Sequence, residues 1–187
     1  MIMFERFGRH ARVAVVLAQE EAKELGANAI EPQHLLAGVL QSTSRQLSAE
    51  LAALGLSADA VRDKLSAGTS EPSFDDDADA LRVLGIDLQT VRDRVNRAFG
   101  AGSFDNALSS SGRRVRRGTL PFAKATKKVL ELGLREALAH KASVIDSEHL
   151  LLGILRGGDP VACGLITEHV EVEELRRSID ALCRKAA

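Results

Sequence analysis

The sequence has no tryptophan and no tyrosine, and its six phenylalanines make up the whole 3% aromatic content. A core without large rings must be packed from Leu, Val, Ile and Ala, a set that suits helix-on-helix layers. Cysteine is scarce as well, with Cys163 and Cys183 the two present. Two thiols without an export signal point to free thiols in a reducing, cytoplasmic setting and not to a disulfide framework. The start, Met1 to Arg6, is charged within five residues and lacks the apolar centre of a signal peptide. No uncharged run approaches the roughly 20 apolar residues that span a bilayer, so no membrane association is expected. An excess of either charge is also missing. Lys and Arg number 25 against 26 Asp and Glu, a net charge of -1, which gives no general attraction to nucleic acid.

Motifs that carry chemistry are missing too. There is no G-x-x-x-x-G-K-[ST] phosphate loop, whose N–H cradle and Lys would seat a nucleotide. His34 and His149 have no H-x-x-x-H, C-x-x-C or E-x-x-H partner spacing, so no metal set is expected, and both read as packed histidines at helix starts. The serines fall in linkers or at helix caps, and neither cysteine has a nearby histidine in sequence. No catalytic residue, metal or cofactor is therefore expected, and the chain is read as a binding module.

What is present is a repeat. Ile30-Glu31-Pro32-Gln33-His34-Leu35-Leu36-Ala37-Gly38-Val39-Leu40 aligns with Ile145-Asp146-Ser147-Glu148-His149-Leu150-Leu151-Leu152-Gly153-Ile154-Leu155 at an offset of 115 residues. The same offset places Phe7 on Phe122, Arg12 on Lys127, Leu17 on Leu132, and Glu21-Ala22 on Glu136-Ala137. A shorter echo recurs thirty residues on: Leu51, Leu54-Gly55 and Val61-Arg62-Asp63 return as Leu81, Leu84-Gly85 and Val91-Arg92-Asp93. A third version, with Leu165, Leu175-Arg176 and Ile179, closes the chain, so the middle copy is an insertion.

Each unit reads as helices. Over Ala11 to Leu25 the apolar Val13, Val16, Leu17 and Leu25 are expected to form one buried stripe, ended by Gly26 as a left-handed C-cap. Pro32 suits the first turn of the following helix, and Asp146 or Ser147 suits its counterpart's cap, as Ser57 and Asp87 do elsewhere. Glu21 and Glu136 recur inside apolar faces and are expected to pair with backbone or a cation. Two stretches read as linkers: an acidic one over 67–79, and a Ser- and Arg-rich one over 100–119 with Arg113, Arg114, Arg116 and Arg117. The basic run lacks aromatics for base stacking and reads as solvated.

Met3-Phe4-Glu5-Arg6-Phe7, Val16-Leu17-Ala18-Gln19-Glu20-Glu21-Ala22 and His34-Leu35-Leu36-Ala37-Gly38 resemble the first Clp N-terminal repeat. Leu120-Pro121-Phe122, Lys127-Lys128-Val129-Leu130-Glu131-Leu132 and Ser147-Glu148-His149-Leu150-Leu151-Leu152-Gly153 resemble the second. The chain is thus similar to the N-terminal domain of ClpC-type AAA+ unfoldases, here as a stand-alone protein without ATPase modules. The resemblance implies an all-α, pseudo-two-fold bundle of two four-helix repeats, with an inserted helix pair from Leu81 to Phe99. The repeats would occupy residues 1–67 and 119–187, with an insert over 68–118, and would pack as one monomeric domain.

It also implies partners: adaptors, substrates or other proteins of the Clp system, and cyclic peptides of the cyclomarin type. The corresponding groove would be lined by Phe4, Arg12, Val16, Gln19, Phe122, Lys127 and Glu131. Phe4 and Phe122 could equally be cover for the core. Family members hold phosphoarginine with a Thr after each repeat's opening Phe and a Glu before its His. Here Gly8 and Gln33 stand at those places in the first repeat, and Ala123 and Glu148 in the second. Hydrogen bonds to charged groups contribute about 1.5–3 kcal/mol each, so the first pocket should be lost and the second badly weakened.

Overall fold

The structure is a computed structural model that describes residues 5–68, 87–101 and 118–186. Among these, nine α-helices are connected by loops and no strand occurs. They are α1 (Arg9–Glu24), α2 (Pro32–Gln41), α3 (Arg45–Ala53), α4 (Ala58–Gly68), α5 (Leu88–Phe99), α6 (Lys124–Ala139), α7 (Ser147–Gly157), α8 (Pro160–Thr167) and α9 (Val172–Ala186). Helices α1–α4 and α6–α9 are the two repeats, and α5 belongs to the middle copy. The linkers and the first half of the expected helix pair fall largely outside the described residues. No single helix here is long and apolar enough to cross a membrane.

Helices α2 and α7 form the centre. Both are apolar around nearly their whole circumference, as a helix surrounded by others must be, and His34 to Leu40 and His149 to Leu155 are all buried. They pack on each other, and each also contacts the long first helix of both repeats. Their starts follow the expected chemistry. Pro32 opens α2, and Asp146 is the N-cap of α7, accepting from the Ser147 N–H at 3.1 Å.

The apolar stripe expected on α1 is corrected. Val13 and Val16 are 43% and 61% exposed, and Leu17 and Leu25 are only part-buried. The buried face is Ala11, Ala14, Ala18, Glu21 and Ala22. Close approach at Gly38 is the reason. A Cβ there would lie 2.2 Å from the Ala14 carbonyl oxygen and 2.8 Å from the Ala18 nitrogen. Backbone so near to backbone requires glycine at position 38, and the face that α1 lays against it is built of alanines. The second repeat repeats the device, with Gly153 against Val129 and Gly133.

The two repeats are joined by exchanged backbone. Phe7, ahead of α1, forms a parallel bridge with Ile145, ahead of α7; Ile30, ahead of α2, does so with Phe122, ahead of α6. The Gly8 N–H donates to the Ile145 oxygen at 2.8 Å and the Ile145 N–H to the Arg6 oxygen at 2.8 Å. Across the pseudo-two-fold, the Ile30 N–H donates to Pro121 at 2.8 Å and the Ala123 N–H to Ile30 at 3.0 Å.

Glu21 and Glu136 are buried and paired with cations, as expected. Glu21 meets Arg62 and accepts from the Gln41 amide at 3.1 Å. Glu136 accepts from Arg156 at 3.0 Å and Arg176 at 3.3 Å. The middle copy departs from its siblings. Val61 is fully buried in α4, whereas Val91, thirty residues on in α5, is 40% exposed.

Gly38→Ala tests the crossing. It should destabilise the fold by about 3 kcal/mol, read as a lower urea midpoint, whereas alanine at Gly164, where an added Cβ meets nothing within 4 Å, should be nearly neutral.

Candidate functional site

The groove residues sit on the exposed faces of the two long first helices. Arg12, Val16 and Gln19 follow one another at helical spacing on α1 and share a face. Arg12 is exposed, Val16 is 61% exposed and Gln19 is part-buried. Their pseudo-two-fold mates Lys127 and Glu131 lie on α6, both exposed. An open hollow runs along that helix, lined by Lys124, Ala125, Lys127, Lys128 and Glu131. Phe122 is half-buried and packs against the core, so core cover is at least part of its work. Phe4 lies outside the described residues. Among the described residues, the exposed large apolar side chains on α1 are Val13 and Val16.

At the phosphoarginine-type positions, the first repeat holds an anion of its own. Gly8 is the N-cap of α1, and a Cβ there would lie 2.8 Å from Asp146 Oδ2. The Asp146 carboxylate fills that space from the other repeat. Its Oδ1 accepts from the Ala11 N–H at 3.0 Å, and His10 Nδ1 lies 3.3 Å from Oδ2. A helix N-terminus favours negative charge, and here an internal carboxylate supplies it. Sequence reasoning placed Asp146 at its own helix start and missed this second contact, because the two helices are far apart in the chain.

The remaining positions differ. Gln33, beside His34, is part-buried. Ala123 is the N-cap of α6 without a side-chain cap, and Thr126 Oγ1 donates to the Ile30 oxygen at 2.6 Å. Glu148 is half-buried and accepts from Ser44 Oγ at 2.9 Å. Its carboxylate thus joins the start of α3 to the second repeat.

His34 and His149 are buried at helix starts. His34 Nδ1 accepts from the Glu31 N–H at 3.0 Å and His149 Nδ1 from the Asp146 N–H at 3.1 Å, which leaves each ring proton on Nε2. Burial lowers His34 from an ordinary 6.5 to about 4 and lowers His149 too, against the opposing pull of Glu148. Groups of this kind cap helices and hold no poised proton. A further cluster, His140, His149 and Cys183, comes from three separate helical segments and gave no spacing signal.

This architecture places the chain in a known family. Residues 6–77 and 74–169 match the Clp repeat (R) N-terminal domain, and the chain belongs to that family. It is 26% identical over 165 residues to the negative regulator of genetic competence ClpC/MecB of Bacillus subtilis, covering 88% of this chain and 15% of that protein. With the ATP-dependent Clp protease ATP-binding subunit ClpA homolog of Cyanidium caldarium it shares 30% over 178 residues, 95% of this chain and 16% of that one. The chain spans about a sixth of the length of these relatives. Its fold is similar to the N-terminal domain of ClpD from Arabidopsis thaliana, with a TM-score of 0.61, 20% identity and coverage of 95% and 97%. The Hsp104 N-terminal domain from Candida albicans matches with a TM-score of 0.59 at 13% identity, over 95% and 91% of the two chains.

Two outcomes follow. Asp146→Ala removes a cap from both repeats and should destabilise the fold by about 1–2 kcal/mol in thermal or urea unfolding. Because His34 is depressed in the folded state, the unfolded chain binds its proton first as pH falls. Stability should therefore drop between about 6.5 and about 4, and His34→Asn should flatten that slope in urea titrations.

Proposed function

We propose that this chain is a ClpC N-terminal-like binding module that captures peptide segments on the α1–α6 face. By doing so it modulates or shields the Clp unfoldase–protease system. The observation that carries the reading is the exposed face formed by Arg12, Val16, Lys127 and Glu131 at pseudo-two-fold positions, beside a hollow rich in lysine. Apolar contact on Val16 framed by cationic heads suits peptides with acidic and apolar residues, whether they belong to adaptors, substrates or cyclomarin-type macrocycles. Phosphoarginine is a poor candidate ligand, because Asp146 already occupies the seat at Gly8 and Glu148 is engaged by Ser44. The reading includes the division into repeats over 1–67 and 119–187 with an insert over 68–118, and a monomeric, cytoplasmic protein.

A second reading has its own observation. Val91 in α5 is exposed where its counterpart Val61 is buried, and Phe99 is 77% exposed. The inserted helix pair would then be the docking element of an adaptor that contacts the unfoldase directly.

Calorimetric titration with a cyclomarin-type macrocycle separates the two. The groove reading expects a dissociation constant at or below about 1 μM, near -8 kcal/mol, weakened at least about tenfold by Val16→Asp. It also expects binding to survive deletion of Asp75 to Ala101. A folded protein that gives no heat sinks the groove reading, and loss of unfoldase binding upon the deletion favours the adaptor.

A further inference from the structure

The outer faces of α1 and α6 hold a charge pattern that the core does not require. Aligned at the 115-residue offset, the exposed positions of the two helices have mostly diverged. Val13 stands against Lys128, Val16 against Glu131 and Glu20 against Arg135. Two positions keep their charge: Arg9 recurs as Lys124 and Arg12 as Lys127, and all four residues are exposed. Exposed cations are common on any protein, and recurrence in both copies is what singles these out. Each pair is spaced i, i+3, so its two cations share a helix face about 5–6 Å apart at Cβ.

These cations are not spent inside the protein. Among the described residues none of the four, nor Lys128 beside them, meets a carboxylate, whereas Lys23, Arg62, Lys64, Arg156 and Arg176 each do. On α1 no acidic residue precedes Glu20 on the outer face, and Glu20 is held by Lys23 at 3.2 Å. Along α6, Glu131 is the single acid against the three lysines that line the hollow. The local field is therefore positive on a chain whose net charge is -1. Two occupants fit it poorly. A second copy of the chain would bring the same cations against themselves. A single-stranded nucleic acid would find no Phe, Tyr or Trp on either helix to stack its bases.

We propose that this face selects acidic segments of protein partners, with Arg9 and Arg12 as one cation clamp and Lys124 and Lys127 as the other. The proposal rests on the groove reading and deepens it. The occupant is an extended peptide with a carboxylate at every second residue. Side chains on one side of such a strand repeat about every 6.6–6.8 Å, which brings consecutive carboxylates over consecutive cations of a clamp. Val13 and Val16, exposed on the same helix as the first clamp, take apolar side chains of the bound segment. Charges at the edge of an interface govern encounter rate and partner choice more than final affinity, so the clamps decide which segments the face captures.

The test titrates the purified full chain with a fluorescent peptide of alternating glutamate and valine, read by anisotropy. Binding should weaken at least about threefold as salt rises from about 0.05 to about 0.3 M, and at least about tenfold when glutamine replaces every glutamate. Arg12→Glu and Lys127→Glu should each weaken it at least about fivefold, whereas Arg184→Glu, exposed on α9, should change nothing. A glutamine peptide that binds as well as the glutamate one, or charge reversals without effect on affinity, overturns the clamps. The groove reading survives that result if the cyclomarin-type macrocycle still gives heat that Val16→Asp removes. When neither peptide nor macrocycle binds the folded chain, both fall together. Tighter capture of a single-stranded oligonucleotide than of the peptide assigns the cations to phosphate and overturns the proposal as well.

Discussion

The fold depends on two short exchanges of backbone between its halves. Each repeat ends its lead-in segment, at Phe7 or Phe122, on the residue that precedes the other repeat's central helix. The four hydrogen bonds are individually modest, of order 1 kcal/mol net. Their force lies in geometry. Pinning Gly8 to Ile145 and Ala123 to Ile30 fixes where α1 and α6 begin, and each then crosses a glycine in α2 or α7 at backbone contact. Neither half can shift along the other without orphaning buried N–H groups, which proteins rarely tolerate. The alanine face of α1, the buried position of α2 and α7, and the outward placing of Val16 all follow from that constraint.

Near-symmetry makes the exceptions informative. Gly26 takes a positive φ of 68° at the end of α1, and Lys141 takes 57° at the matching place after α6, a conformation that disfavours a side chain. Lys141 follows His140, the residue aimed at Asp180. The first repeat neutralises its buried Glu21 with one arginine and a glutamine amide; the second answers Glu136 with two arginines. Asp146 reaches across to cap α1. α6 has no such side-chain cap, and Thr126 instead donates to the Ile30 oxygen across the repeats. The second repeat is therefore the more polar inside, and the polar groups converge on the α6–α7–α9 junction.

How much of this was legible in the chain depends on the range of the interaction. The 115-residue offset exposed the repeat, and caps at Pro32, Asp146 and Gly26 placed helix ends, because both signals are local. Glu21 and Glu136 announced themselves as carboxylates inside apolar faces, and their arginine partners were a matter of electrostatic necessity. The α1 stripe was misread because hydrophobicity favours valine over alanine, and the alanine face shows only once α1 is packed against Gly38 of α2. Asp146 over Gly8 and Cys183 beside two histidines were illegible for another reason. Each joins residues more than thirty positions apart, where no periodicity reports on contact. The groove residues lie between these cases: helical spacing put Arg12, Val16 and Gln19 on one face, while the half-burial of Phe122 depends on packing.

The same arrangement separates what must be rigid from what is free to bind. Exchange and glycine crossings consume the inner faces of the two long first helices, through alanines on α1 and through Val129, Leu130 and Gly133 on α6. Their outer faces make no contribution to that packing, so Val13, Val16, Lys127 and Glu131 can vary without cost to the core. The interior ion networks work in the opposite sense. Arg156 and Arg176 are held by Glu136, and Arg176 reaches Asp180 at 4.0 Å. That network lies within the second repeat and leaves the α1 surface as it stands. The packing that orders the fold and the surface proposed to bind are thus carried by different residues of one repeated plan.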